Sequence, residues 1–165
     1  MGFEERAAEV IDASMDSSDG LAVTLYELAE LNSLSIELEE LPLDPDLESA
    51  LRGAGLDPVE AAFYGGEEFG AVGLVAEAAV ERLREIAAQE RVPLWIIGRA
   101  RRSEGGVSVR FRGRELARRG WEHFWARGRA PCWPQPSFCS GGAGRRGPPR
   151  PRRGTRVALC GPLPR

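Results

Sequence analysis

Asp12-Ala-Ser-Met-Asp-Ser-Ser-Asp-Gly-Leu21 sets three carboxylates (Asp12, Asp16, Asp19) and three hydroxyls (Ser14, Ser17, Ser18) within eight residues, then closes on Gly20 before a run of helical spacing. Oxygen donors at this density, on a tight turn that opens a helix, suit a magnesium–phosphate site. Magnesium is commonly held by one or two carboxylates together with substrate phosphates and water. A helix N-terminus adds N–H groups that can meet a phosphate oxygen. Asp, Ser and Gly are also what turns and helix N-caps prefer without any ligand. Both readings stand here, and the flanking sequence has to separate them.

On the N-terminal side, Phe3, Ala7, Val10 and Ile11 fall at i, i+4, i+7 and i+8, which predicts a short helix over residues 3–11. On the other side, Leu21, Leu25 and Leu28 line one face of a helix over 21–31. Leu34, Ile36 and Leu38 then alternate with polar residues as the buried face of a strand that Pro42 stops. Asp44-Pro45 and Asp57-Pro58 each pair an N-cap with Pro at the first helical position, so two short helices are expected before Tyr64. Tyr64-Gly-Gly-Glu-Glu-Phe69 is the second unusual stretch. Its glycines permit backbone geometries closed to other residues, and Glu67 and Glu68 follow at once; a plain Gly-Gly turn with solvated glutamates is the alternative.

Residues 70–76 are expected as a buried strand, 77–89 as an amphipathic helix and 92–97 as a strand. Gly105-Gly106 predicts a hairpin between 98–102 and 107–111. Val107, Val109 and Phe111 face inward there, with Arg110, Arg112 and Arg114 opposite, as a phosphate patch or as a solvated face guarding a sheet edge. Gly120-Trp-Glu-His-Phe124 offers Trp121 either for packing or for stacking on a flat ring.

Composition narrows the chemistry. The chain has 165 residues and 42% apolar content, enough for one domain with a real core. The net charge of −3 hides a split. Residues 1–122 hold all 25 acidic residues and 13 of the 22 arginines, a net of −12, whereas residues 123–165 hold nine arginines and no acid. There is no lysine, which excludes a P-loop and Schiff-base chemistry. The single histidine, His123, excludes a His-rich zinc site. Cys132, Cys139 and Cys160 all lie in the basic part at spacings that fit no CxxC pair, so reduced thiols are expected. No apolar run is long enough to span a membrane. The acidic start lacks the basic and apolar regions of a signal peptide, so a cytoplasmic location is the expectation.

In order, Met15-Asp-Ser-Ser-Asp-Gly-Leu21, Leu41-Pro42, Tyr64-Gly-Gly-Glu-Glu-Phe69, Ile97-Gly98 and Gly120-Trp-Glu-His-Phe124 resemble the C-terminal half of thiamine-monophosphate kinases. That half is the domain shared with aminoimidazole-ribonucleotide synthetase. The resemblance covers about residues 3–124. It implies an α+β fold, a layered domain with helices packed on a mixed or antiparallel sheet. It also implies magnesium-dependent transfer of the ATP γ-phosphoryl group to thiamine monophosphate, giving thiamine diphosphate. Carried over by position, Asp16 and Asp19 resemble magnesium ligands and Ser18 a contact to the ATP phosphates. Glu67 and Trp121 resemble substrate contacts, and no catalytic side chain is assigned. Glu68 and Phe69 stand where the family usually has Asp and Tyr. The family's N-terminal half is absent, so Asp16 and Asp19 are half a site. A separate N-terminal domain or an oligomeric partner would have to complete it; the alternative is a non-catalytic remnant that binds a ligand or another subunit.

The expected division is therefore residues 1–124 as this domain and 125–165 as a disordered Arg/Pro/Gly-rich tail. Three readings of the tail stand open: Arg-mediated binding to nucleic acid, an inert linker, or a translated wrong frame of a GC-rich gene. The last is favoured because the change of composition is abrupt and coincides with the end of the family pattern. Nucleic acid and membranes are not among the expected partners.

Overall fold

The computed structural model describes residues 2–66, 70–120 and 154–161. In chain order the elements are α1 (Phe3–Ala7), β1 (Ile11–Ser17), α2 (Leu21–Asn32), β2 (Leu34–Leu38), α3 (Pro45–Gly53), α4 (Pro58–Tyr64) and β3 (Gly70–Ala76). A 3-10 turn (Glu77–Ala79) then leads into α5 (Val80–Glu90), followed by β4 (Leu94–Arg102), β5 (Ser108–Phe111), β6 (Arg114–Glu115) and β7 (Thr155–Cys160). Among the described residues the strands form one mixed sheet in the order β1-β3-β7-β4-β2-β5-β6. All neighbours run antiparallel except β2 and β5.

The Asp-Pro start signals act as expected. Asp44 Oδ1 accepts from the N–H groups of Asp46 (2.8 Å) and Leu47 (3.2 Å), and Asp57 Oδ1 accepts from that of Val59 (2.9 Å). Each satisfies N–H groups that have no partner inside the helix.

Helices cover both faces of the sheet. Leu21, Leu25 and Leu28 of α2 and Phe63 of α4 meet Leu34, Ile36, Leu38, Val72, Ile97 and Val157 in the larger core. Ala7 of α1 and Val80 and Leu83 of α5 pack on Val75 and Ala158 in a smaller core on the opposite face. Strand alternation supplies both: within β7, Val157 faces the first core and its neighbour Ala158 the second. Beyond α5 the second face turns polar, with Ser35, Glu37, Arg99, Arg101, Ser108 and Arg110 around a shallow hollow.

Three expectations are corrected. The helix predicted over residues 3–11 ends at Ala7, because Ile11 already belongs to β1. Most of the acidic stretch is likewise strand rather than turn: β1 runs through Asp16 and pairs with β3 from Ile11↔Val75 to Ser17↔Gly70. Local propensity is overridden there by the open edge that β3 offers, with Ser14 and Asp16 facing solvent. The hairpin about Gly105-Gly106 does not form, since β4 and β5 both pair with β2 and flank it. As an inner strand β2 pairs its backbone on both sides, and Ile36 and Leu38, 1% and 0% exposed, lie in the larger core.

The fourth correction concerns the tail. Thr155–Cys160 lies inside the sheet between β3 and β4, so the expected disordered tail does not extend through these residues. Thr-Arg-Val-Ala-Leu-Cys has the apolar, β-branched character of a strand, which the surrounding Arg/Pro/Gly composition masks. Burial at this position raises the Cys160 thiol to about 11, so it stays protonated at neutral pH.

Ser17 ends β1 at 1% exposure, and its Oγ has no hydrogen-bond partner among the described residues. An unsatisfied buried hydroxyl is costly. Ser17→Ala is therefore expected to stabilise the protein by about 1 kcal/mol, read as a higher urea midpoint with an unchanged slope. A lower midpoint would contradict this.

Candidate functional site

The site is built on the short elbow Ser18-Asp19-Gly20 between β1 and α2. Gly20 holds φ +110° and ψ 142°, and no side chain caps α2. The N-terminal turn of the helix thus opens on the elbow with a residue at the N-cap that has no side chain of its own to cap it. Thr24 fastens the joint: its Oγ1 donates to the carbonyls of Gly20 (3.2 Å) and Asp16 (3.3 Å). Asp16 and Ser18 are exposed and Asp19 is half-buried. All three line one open cavity of about 590 Å³, together with Met15, Val23, Thr24, Glu27, Arg118, Arg119 and Gly120.

Motifs far apart in sequence meet at the elbow through glycines. A Cβ on Gly20 would lie 2.7 Å from the Gly65 carbonyl oxygen and 3.7 Å from the Gly120 Cα. A Cβ on Gly120 would overlap the Asp19 carbonyl oxygen and lie 2.7 Å from Val23 Cγ1. The glycine of the acidic stretch is thus in backbone contact with the first glycine of Tyr64-Gly-Gly-Glu and with the glycine that precedes Trp121.

Residues 116–119 are held so as to deliver Gly120 there. Tyr26 Oη of α2 donates to the Leu116 carbonyl at 2.7 Å, and burial raises the pKa of that phenol, keeping it a donor. The Ala117 N–H donates to Tyr64 Oη at 3.0 Å. Arg118 makes a two-pronged contact with the Glu30 carboxylate. Arg119 pairs with Glu60 and lies 4.0 Å over the Tyr64 ring. Both guanidiniums are engaged by carboxylates on the helices, and Asp16, Asp19 and Glu27 are the acidic residues that line the cavity.

The structure therefore brings Asp16, Ser18 and Asp19 into one cavity. Glu67 and Trp121 lie outside the described residues; Gly65, Gly66 and Gly120, which lead to them, are described. Thr24, Glu27 and the Arg118-Arg119 pair were not singled out from sequence. The available signals were the position of Thr24 one helical turn past Gly20 and the adjacency of the arginine pair to the Gly120 motif.

Among the described residues, no three His, Cys, Asp or Glu side chains converge as a metal cage. Two carboxylates beside an uncapped helix start and a hydroxyl instead form a partial set of hard oxygen donors. That set suits a cation whose remaining ligands come from phosphate and water.

The family model described as AIR synthase related protein, C-terminal domain, matches residues 3–110, and the chain belongs to this family. Among its relatives is the thiamine-monophosphate kinase of Methanospirillum hungatei, 33% identical over 117 residues that span 68% of this chain and 35% of that protein. The thiamine-monophosphate kinase of Pyrobaculum calidifontis is 36% identical, over 71% of this chain and 36% of that one. Two solved structures share the fold. One is tt0281 from Thermus thermophilus, with TM-score 0.57 and 40% identity over 66% of this chain and 34% of that chain. The other is AaThiL complexed with AMPPCP and TMP, with TM-score 0.55 and 28% identity over 74% of this chain and 37% of that chain. The chain spans about a third of the length of the relatives it matches.

Proposed function

We propose that this chain is the C-terminal half of a thiamine-monophosphate kinase, phosphorylating thiamine monophosphate with ATP and magnesium once an N-terminal half completes the site. The observation that carries this reading is the single cavity shared by Asp16, Ser18 and Asp19 at the start of α2, with Gly120 in its lining and Gly65 packed against Gly20 of the elbow. Phosphoryl transfer asks the protein chiefly for positioning and charge neutralisation. Asp16 and Asp19 would hold magnesium, whose charge would offset that of the phosphoryl group being transferred. Ser18 and the first N–H groups of α2 meet the nucleotide phosphates. Glu67 and Trp121 contact the thiamine part of the acceptor, the carboxylate at its cationic or donor edge and the indole across its ring. The relatives' names and the neighbour complexed with AMPPCP and TMP support this choice of substrates. The protein is proposed to work in the cytoplasm; among the described residues no helix is long and apolar enough to cross a membrane.

The test is thiamine diphosphate formation from thiamine monophosphate, ATP and magnesium, by the chain alone and with a relative's N-terminal portion added. Conversion is expected in the second case. Failure in both, from folded protein, would rule the activity out. Asp16→Asn keeps the size of the side chain and removes its charge. It is expected to weaken magnesium-dependent nucleotide binding about tenfold or more, since loss of even an outer partner of a metal costs about that much. Titration of the nucleotide with and without magnesium reads this directly; equal affinity for both proteins would remove Asp16 from the site.

A second reading is a non-catalytic module that holds thiamine monophosphate or another subunit; it is favoured by the absence, among the described residues, of a third carboxylate, His or Cys converging with Asp16 and Asp19. Calorimetric binding of thiamine monophosphate without turnover in the completed assay would select it.

A further inference from the structure

The family match ends at residue 110, yet the middle of the sheet is occupied by Thr155–Cys160. β3 and β4 are not hydrogen-bonded to each other; each pairs with β7 alone on its inner side. β7 runs antiparallel to both, from Ala71↔Cys160 to Ala76↔Thr155 on one edge and from Leu94↔Cys160 to Ala100↔Thr155 on the other. Without it the sheet is two pieces, β1-β3 and β4-β2-β5-β6. No local turn brings β7 into place. Residues 121–153 precede it in sequence, and β6, the strand before it, sits at the far edge with three strands between.

The fit is specific along the whole strand. Val157 and Ala158 are both 0% exposed, one in each core. The wall of β3 is pared back where β7 ends: a Cβ on Gly70 would lie 3.3 Å from the Cys160 carbonyl oxygen. Both ends are clipped. The Glu77 N–H donates to the Gly154 carbonyl at 2.7 Å while the Glu77 carboxylate pairs with Arg156, and the Gly161 N–H donates to the Pro93 carbonyl at 3.3 Å. Main-chain hydrogen bonds to two open edges supply affinity, and the pockets for alternate side chains supply selectivity, as in recognition by strand addition.

We propose that β3 and β4 frame a strand-acceptor slot, filled in this chain by its own Thr155–Cys160, and that the slot accepts the same segment when it is offered as a separate peptide. The slot belongs to the sheet and is independent of the proposed phosphotransfer.

The full-length protein supplies the test. Trypsin has sites at Arg152, Arg153 and Arg156, and Arg156 lies in the sheet. Cleavage at Arg152 or Arg153 is expected to outpace cleavage at Arg156 by tenfold or more. The nicked C-terminal piece should co-elute with the remainder on native gel filtration and separate in denaturant. An isotope-labelled synthetic peptide of residues 154–161, added in excess as the nicked protein, freed of its own piece in denaturant, is refolded, should then be retained, and its Val157→Asp version should be retained at least tenfold less. A readout that needs no cleavage is hydrogen exchange on the intact chain: amides 156–160 should exchange as slowly as those of 72–75. Equal cleavage at Arg153 and Arg156, release of the nicked piece in native buffer, no uptake of the labelled peptide, or fast exchange at 156–160 would each overturn the proposal.

Discussion

Gly98→Ala is expected to abolish cooperative folding of the domain or to lower its melting temperature by about 10 °C or more. Gly98 sits in β4 opposite Leu38 of β2, next to the irregularity between Ile96 and Gly98 that leaves Ile97 bulged. The Ile97 carbonyl accepts from the N–H groups of both Glu39 (2.9 Å) and Glu40 (3.2 Å), which draws β2 close. A Cβ on Gly98 would overlap the Glu37 carbonyl oxygen and lie 2.8 Å from the Leu38 Cα. These are backbone atoms of a neighbouring strand, so no side-chain rotation relieves the overlap. Overpacking of a tight interior costs about 1–3 kcal/mol where side chains can adjust, and here they cannot. Against a typical total stability of about 5–15 kcal/mol, the loss is severe. Gly105→Ala is the control: nothing lies within 4 Å of its Cβ, so a change within about 0.5 kcal/mol is expected. Equal melting curves for the two variants would refute the packing described for β2 and β4.

Gly20→Ala is expected to cost about 3 kcal/mol or more, from two causes that add. The backbone at φ +110° and ψ 142° lies near a region essentially reserved for glycine. The new methyl would also press on the Gly65 carbonyl oxygen at 2.7 Å and on that of Phe63 at 3.3 Å. Gly55 separates the two causes. It too has positive φ, +75°, but open space around its Cβ, so Gly55→Ala carries conformational strain alone. Denaturant melts of both variants should show Gly20→Ala as the more destabilised by about 1–3 kcal/mol. Equal losses would mean that the elbow does not bear on the segment after α4. Because relief of the clash moves the elbow, Gly20→Ala should also weaken magnesium-dependent nucleotide binding at temperatures where the variant remains folded.

Local physical chemistry made much of the chain legible. The Asp-Pro pairs carry their own helix-start chemistry, and the Leu21–Leu25–Leu28 spacing and the alternation of Leu34, Ile36 and Leu38 show which faces must be buried. Asp16, Ser18 and Asp19 stood out because oxygen donors were crowded before a helix. What could not be read was anything that depends on a distant neighbour. Asp12–Asp16 resembled a turn because its polar residues suit one; they form a strand because β3 offers an edge and the outer side meets solvent. Gly105-Gly106 resembled a hairpin turn because its chemistry is local, whereas the insertion of β2 between β4 and β5 is not.

The sequence by itself determined the elements from α2 to β4, their buried faces and the composition of the acidic elbow, because periodicity, capping and donor chemistry act within a few residues. Only the tertiary structure decided that Gly20, Gly65 and Gly120 touch, and that Thr-Arg-Val-Ala-Leu-Cys from a basic, Pro-rich region becomes a central strand. Close backbone approach and strand pairing are satisfied by whichever segment fits the space, and chain order does not encode that space.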